Sequence, residues 1–172
     1  MAWEIERRFL VRVEERVWSE AGPGRHLHQG YLVAGDPSVR VRTGEERGAV
    51  LTCKSGKGIR RTEEESVIPD ALATMLLAAS GAHTLEKVRF QIGPWELDRF
   101  LGPLEGLSIL EIELETEGDA LPEPPRGVDI SREVTGDKHF TNAHLARASS
   151  RQRRAFVRRV YKEEPSWTRH ER

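Results

Sequence analysis

The stretch that most constrains this chain is "WEIERRFLV", Trp3 to Val11, in which Glu4, Glu6 and Arg8 recur at a spacing of two residues. In a β-strand, residues two apart share a face, so two carboxylates and a guanidinium stand in one row. The two carboxylates lie roughly 7 Å apart and repel by roughly 2 kcal/mol at an effective dielectric of about 20. The pattern then repeats. "SVRVRTG" pairs Arg40 with Arg42, "AVLTCKSG" pairs Thr52 with Lys54, and "RTEEESVIP" pairs Glu63 with Glu65, reaching back to Arg61. "LEKVRFQIG" pairs Lys87 with Arg89, "PWELDRFLG" pairs Glu96 with Asp98, and "ILEIELET" aligns Glu111, Glu113 and Glu115. Apolar residues fill the alternate positions, and turn sequences such as "AGDP", "TGEE", "KSGKG" and "IGPW" separate the runs. Short connections predict mostly antiparallel neighbours.

An open sheet with one wet face would also alternate. A wet face, however, mixes polar types, whereas here the pairs are sorted by sign, acidic pairs on four strands and basic pairs on others. Closing the sheet into a barrel with its charged face inward accounts for the sorting, but unpaired buried charges are too costly for a dry interior. Such a lumen calls for water, ions and a highly charged ligand. Converging arginines and lysines suit a phosphate-rich polyanion, because a guanidinium binds two oxygens at once. Carboxylates in the same volume would repel that polyanion unless a hard divalent cation, Mg2+ or Mn2+, stood between them. A tunnel with both sets reads as a site for a metal-bridged oligophosphate.

Whole-chain numbers narrow the class. With 172 residues one domain is expected, and 27 basic against 28 acidic residues leave a net charge of −1, which speaks against a nucleic-acid-coating protein. Cys53 is the single cysteine, so no disulfide framework exists, and it falls on the apolar face, where a core position is expected. The sequence shows neither an apolar run of membrane-span length nor a secretory leader, so a soluble cytoplasmic protein is expected. Helical periodicity appears in "IPDALATMLLAASG", closed by Gly81, and again from about Thr141, with Thr141 or Asn142 as N-cap. "KSGKG" is too short for a phosphate loop of the GxxxxGK[ST] type. His26 and His28 share a strand face but lack the partners of a zinc site.

Together, "EIERRFLV", "HQGYL", "VRVR", "LTCKSGKGIRRTEEE", "LEKVRF", "ELDRF", "LEIEL" and "EVTGDKHFTNAHLA" resemble the successive strands of the CYTH superfamily, the triphosphate tunnel metalloenzymes. The nearest likeness is to its small bacterial tripolyphosphatase branch, and it covers residues 2–147. The resemblance implies a mainly β fold with flanking helices (α+β), a closed eight-stranded antiparallel β-barrel forming a charged tunnel. It implies divalent-metal-dependent hydrolysis of a triphosphate, foremost inorganic tripolyphosphate. Alternatives are a nucleoside or thiamine triphosphate hydrolase, an adenylyl cyclase, or a non-catalytic polyphosphate-binding module. By the same resemblance Glu4, Glu6, Glu111 and Glu113 hold metal, with Glu63, Glu65 and Asp98 as further acidic contributors. Arg40, Arg42, Lys54, Arg61, Lys87, Arg89 and Lys138 form the phosphate-binding wall, the strand alternation favouring Arg61 over Arg60. Tyr31 matches a tyrosine that partners the residue at position 8, where the family has lysine and this chain has Arg8. A guanidinium stays protonated and cannot act as a base, although it can bind phosphate and polarise a transition state. The water is then activated by metal or a carboxylate, or turnover is slow and the protein mainly binds.

The partner expected is a small-molecule triphosphate or polyphosphate, with neither membrane nor nucleic acid, and the sequence leaves a homodimer open. A boundary falls near Arg147, giving residues 1–147 as the tunnel domain and 148–172 as a basic C-terminal helix or tail. From Arg147 onward, nine Lys or Arg face three Glu. That segment reads either as a solvated helix packing Phe156, Val157 and Val160 on the barrel, or as an electrostatic patch for polyphosphate or nucleic acid.

Overall fold

Among the described residues, strand alternation is realised in nine antiparallel strands. They are β1 (Ala2–Val13), β2 (Arg25–Ala34), β3 (Ser38–Thr43), β4 (Ala49–Ser55), β5 (Arg60–Ile68), β6 (Thr84–Ile92), β7 (Trp95–Phe100), β8 (Ser108–Leu114) and β9 (Val128–Glu133). The computed structural model describes residues 2–56 and 59–162. Spatial order runs β5-β4-β3-β2-β6-β7-β8-β1, and β1 pairs back onto β5, so eight strands close a barrel. Closure works because β1 is long enough to divide one edge. Its residues 2–5 bond β5 and its residues 9–13 bond β9, which lies outside the ring, while Ile5–Leu10 bond β8 on the other edge. A register shift between Leu10 and Val11 marks the division.

The charged faces point inward, and helices cover much of the apolar outside. Helix α1 (Glu15–Glu20) lays Val17 and Trp18 over Phe90, Leu97 and Leu110 of the outer wall, with the Trp18 and Phe90 rings 5.4 Å apart. Helix α2 (Asp70–Ala79) covers Val41, Ala49 and Leu51. Its cover does not extend to Cys53, which is exposed rather than in the core: the face was apolar, but no element among the described residues lies over that end of β4. The β3–β4 turn requires glycine at Gly44, where φ is +90° and an added Cβ would lie 1.9 Å from the His26 carbonyl oxygen.

Inside, four of the strands change character along their length. Glu4, Glu6 and Arg8 give way to Leu10, Lys87 and Arg89 are preceded by Leu85, Asp98 is followed by Phe100, and Glu111 is preceded by Ile109. These four apolar side chains meet Leu104, Leu107, Phe140, Leu145 and Val160 in one cluster that plugs this end of the barrel. Full burial of each large member is worth about 1.5–3 kcal/mol. The plug draws on α3 (Asn142–Arg147), whose N-terminus is capped by the Thr141 hydroxyl, and on α4 (Ser150–Lys162). Helix α4 buries Val160 and Arg153 and packs Phe156, Val157 and Tyr161 on the plug, with the Phe140 and Phe156 rings 5.0 Å apart. The last ten residues of the basic tail, 163–172, lie outside the described residues. No helix among the described residues is long and apolar enough to cross a membrane.

Candidate active site

Toward its other end the barrel keeps a polar cavity of about 400 Å3. Its walls include Glu4, Glu6 and Arg8 of β1, Tyr31 of β2, Arg40 and Arg42 of β3, and Thr52 and Lys54 of β4. Arg61, Glu63 and Glu65 of β5, Arg89 of β6, Glu96 of β7, and Glu111 and Glu113 of β8 line it as well. Register explains the grouping: Glu6 stands directly opposite Glu113, Arg8 opposite Glu111, and Glu96 opposite Glu111. Arg60, by contrast, turns outward with its guanidinium 4.0 Å from the Trp3 ring centroid.

Ion pairs lace the cavity. Lys54 Nζ donates to both Glu4 oxygens at 2.8 Å and stands 3.0 Å from Glu63. Arg61 donates to Glu6 at 3.0 Å, and Arg40 lies 3.6 Å from Glu65, whose other contacts are Arg42, Arg47 and the Thr52 hydroxyl. Arg40 Nε is buried without a hydrogen-bond partner among the described residues, an open donor of the kind an anionic ligand would satisfy.

Lys87 and Asp98, expected in the wall, are instead fully buried behind it, bonded to each other at the plug end. Asp98 takes two bonds from Arg89 at 2.7 Å and so braces that guanidinium, which continues to Glu96 and, at 2.5 Å, to Glu111. Burial, then the charge of Arg89, lowers Lys87 to about 8. Glu96 takes the lumen position that Asp98 was expected to fill. Its alternation with Asp98 in "WELDRF" is the signal that finds it, whereas depth along the barrel is invisible to that spacing. Lys138 is exposed and lines an adjoining cavity rather than this one.

Arg8 departs from its expected link to Tyr31. Its guanidinium bonds Glu111 at 2.7 Å and the Phe140 carbonyl at 2.9 Å, while the Tyr31 hydroxyl accepts from Gln29. Burial works to raise Glu111, but Arg8, Lys87 and Arg89 prevail and hold it well below the ordinary carboxylate range. Four other carboxylates go the opposite way. Burial, then Glu111, raises Glu6; partial burial, then Glu4, raises Glu113; burial, then Glu4, raises Glu63 to about 7; burial, then Glu111, raises Glu96.

These crowded, oxygen-only donors suit a hard divalent cation, which would relieve the repulsion that raises them. With the side chains turned to their guanidinium and ammonium partners, no three His, Cys, Asp or Glu among the described residues converge on one metal position. The donor chemistry therefore fits a metal, provided the carboxylates turn from those partners toward it.

No family model matches the chain. It is 35% identical over 153 residues to an inorganic triphosphatase of Acetivibrio thermocellus, covering 86% of this chain and 95% of the relative. An inorganic triphosphatase of Nitrosomonas europaea is 34% identical over 154 residues, with 83% of this chain and 96% of the relative covered. Among solved structures, the crystal structure of an inorganic triphosphatase superimposes with a TM-score of 0.55 at 29% identity, covering 87% of this chain and 97% of that one.

Proposed function

The chain belongs to the inorganic triphosphatase family, and from that premise we propose that it hydrolyses inorganic tripolyphosphate in the barrel with Mg2+ or Mn2+, by in-line attack of water on a terminal phosphate. The observation that carries this reading is the meeting of Arg40, Arg42, Lys54, Arg61 and Arg89 with Glu4, Glu6, Glu96 and Glu113 around one cavity. The cations bind and orient the phosphate chain, and a guanidinium fork matches two phosphoryl oxygens. Glu4, Glu6 and Glu113 would hold the metal, supported by Glu111, Glu63 and Glu65. When bound, the cation supplies Lewis-acid neutralisation of phosphoryl charge.

Arg89, braced from behind by Asp98, is positioned to stabilise charge growing on the transferred phosphoryl group. Glu63, raised to about 7 by burial and by Glu4, is a carboxylate whose repulsion a bound cation would relieve. Arg8 cannot take a proton from the attacking water and instead orients Glu111. An exposed, unpaired Cys53 thiol suits a reducing cytoplasmic setting.

Phosphate release from tripolyphosphate, ATP, thiamine triphosphate and long-chain polyphosphate, each with Mg2+, Mn2+ or chelator, tests the proposal. Release should be fastest from tripolyphosphate and vanish with chelator. Tight binding without release in either metal would leave a binding module, and a preference for ATP or thiamine triphosphate would overturn the substrate assignment.

A further inference from the structure

Arg8, Lys54 and Arg61, with Glu6, face two volumes at once. Beyond the tunnel they also line a second cavity of about 1010 Å3, whose opposite wall is the C-terminal cap. The 135–139 turn, α3 and α4 contribute Lys138, His139, His144, Arg147 and Arg159 to that wall.

The charge balance differs between the two. In the tunnel, Arg8, Lys54, Arg61 and Arg89 each have a carboxylate within hydrogen-bonding distance. In the second cavity, Lys138, Arg147 and Arg159 have no carboxylate partner among the described residues. Besides Glu6, the carboxylates lining it are Asp36 and Asp137, and both are engaged. Asp36 accepts from the Ser55 hydroxyl and the Gly56 N–H, and Asp137 accepts from the His139 backbone N–H and contacts its ring. Also lining the cavity is Arg153, only 7% exposed, whose guanidinium is given to the carbonyls of Ala148, Thr84 and Ala146. Carbonyls satisfy its donors without cancelling its charge, and burial alone lowers its pKa. Glu6, Asp36 and Asp137 keep their charges, but the lining cations Arg8, Lys54, Arg61, Lys138, Arg147, Arg153 and Arg159 outnumber them, so the concave surface is positive on balance and concentrates its field on an anion.

We propose that this second cavity binds the overhanging phosphates of a linear polyphosphate longer than tripolyphosphate, while the end of the same chain occupies the tunnel. The inference rests on the triphosphatase reading of the tunnel and extends its substrate class. The shared wall sets the order of binding: Lys54 and Arg61 line both cavities and would contact the chain where it leaves the tunnel.

The test uses the full chain carrying both Arg147→Gln and Arg159→Gln, two exposed positions outside the tunnel. Equilibrium binding of long-chain polyphosphate and of tripolyphosphate is measured by calorimetry with Mg2+, at low and high salt. Long-chain affinity should fall roughly tenfold, the effect of two charge-assisted phosphate contacts, and the loss should shrink at high salt. Tripolyphosphate affinity should stay within about twofold, since an exposed charge outside its site is largely screened. Equal loss for both ligands, or no loss for the long chain, would each overturn the proposal. Because binding is the readout, failure to release phosphate from tripolyphosphate strikes the functional reading alone. Release without long-chain binding strikes this inference alone.

Discussion

Replacing Glu63 by Gln should stabilise the metal-free protein, although it deletes a salt bridge. Glu63 and Glu4 both turn to Lys54, at 3.0 Å and 2.8 Å. Burial, then the charge of Glu4, raises the Glu63 carboxyl from an ordinary 4.5 to about 7. A carboxyl raised in the folded state contributes stability that is fully present below 4.5 and lost as pH rises through 7. A rise of that size corresponds to about 3 kcal/mol, and screening at this partly open side chain reduces it to about 1.5 kcal/mol. Gln cannot ionise, and Lys54 keeps both oxygens of Glu4. At pH 8 with chelator, Glu63→Gln should therefore melt about 3–6 °C above the parent. At pH 5 the gap should shrink to about a quarter, because the folded parent is then protonated at this position. Thermal unfolding followed by circular dichroism across this range checks it. A gap that does not change with pH, or a variant less stable at pH 8, refutes the reasoning. Adding Mg2+ at pH 8 should raise the parent's midpoint more than the variant's, and equal rises would remove Glu63 from the metal set.

Glu111→Gln and Glu113→Gln separate structure from metal binding. Glu111 is 4% exposed between two guanidiniums, so its loss should cost about 3 kcal/mol or more of stability. The open Glu113 should tolerate Gln within about 0.5 kcal/mol while metal-dependent phosphate release collapses. Full activity of Glu113→Gln with unchanged metal dependence would exclude it as a ligand. Arg8→Lys exchanges a guanidinium that holds Glu111 and the Phe140 carbonyl for a single ammonium, costing about 1–2 kcal/mol in a denaturant melt. Turnover of tripolyphosphate should nevertheless rise at alkaline pH, where an amine can accept a proton. An unchanged rate and pH profile would leave Arg8 an orienting cation only.

Much of the site was legible because period two is a local property. Glu4, Glu6 and Arg8 share a face by backbone geometry alone, as do Arg40 with Arg42 and Glu111 with Glu113, whatever lies around them. Sorting by sign then argued for an enclosed polyanion, and the order of the motifs argued for the barrel. Three things depended on closure. Depth separates Glu96 in the lumen from Asp98 and Lys87 behind it, although alternation treats Glu96 and Asp98 alike. Cover separates the exposed Cys53 from the buried Val41, because α2 extends over only part of an apolar face. Partnership joins Arg8 to Glu111, 103 residues away, and to Phe140, 132 away, rather than to Tyr31. Alternation decides which residues look the same way along one strand. What each of them meets depends on the registers between strands and on where the apolar plug ends, and both arise only when distant segments pack.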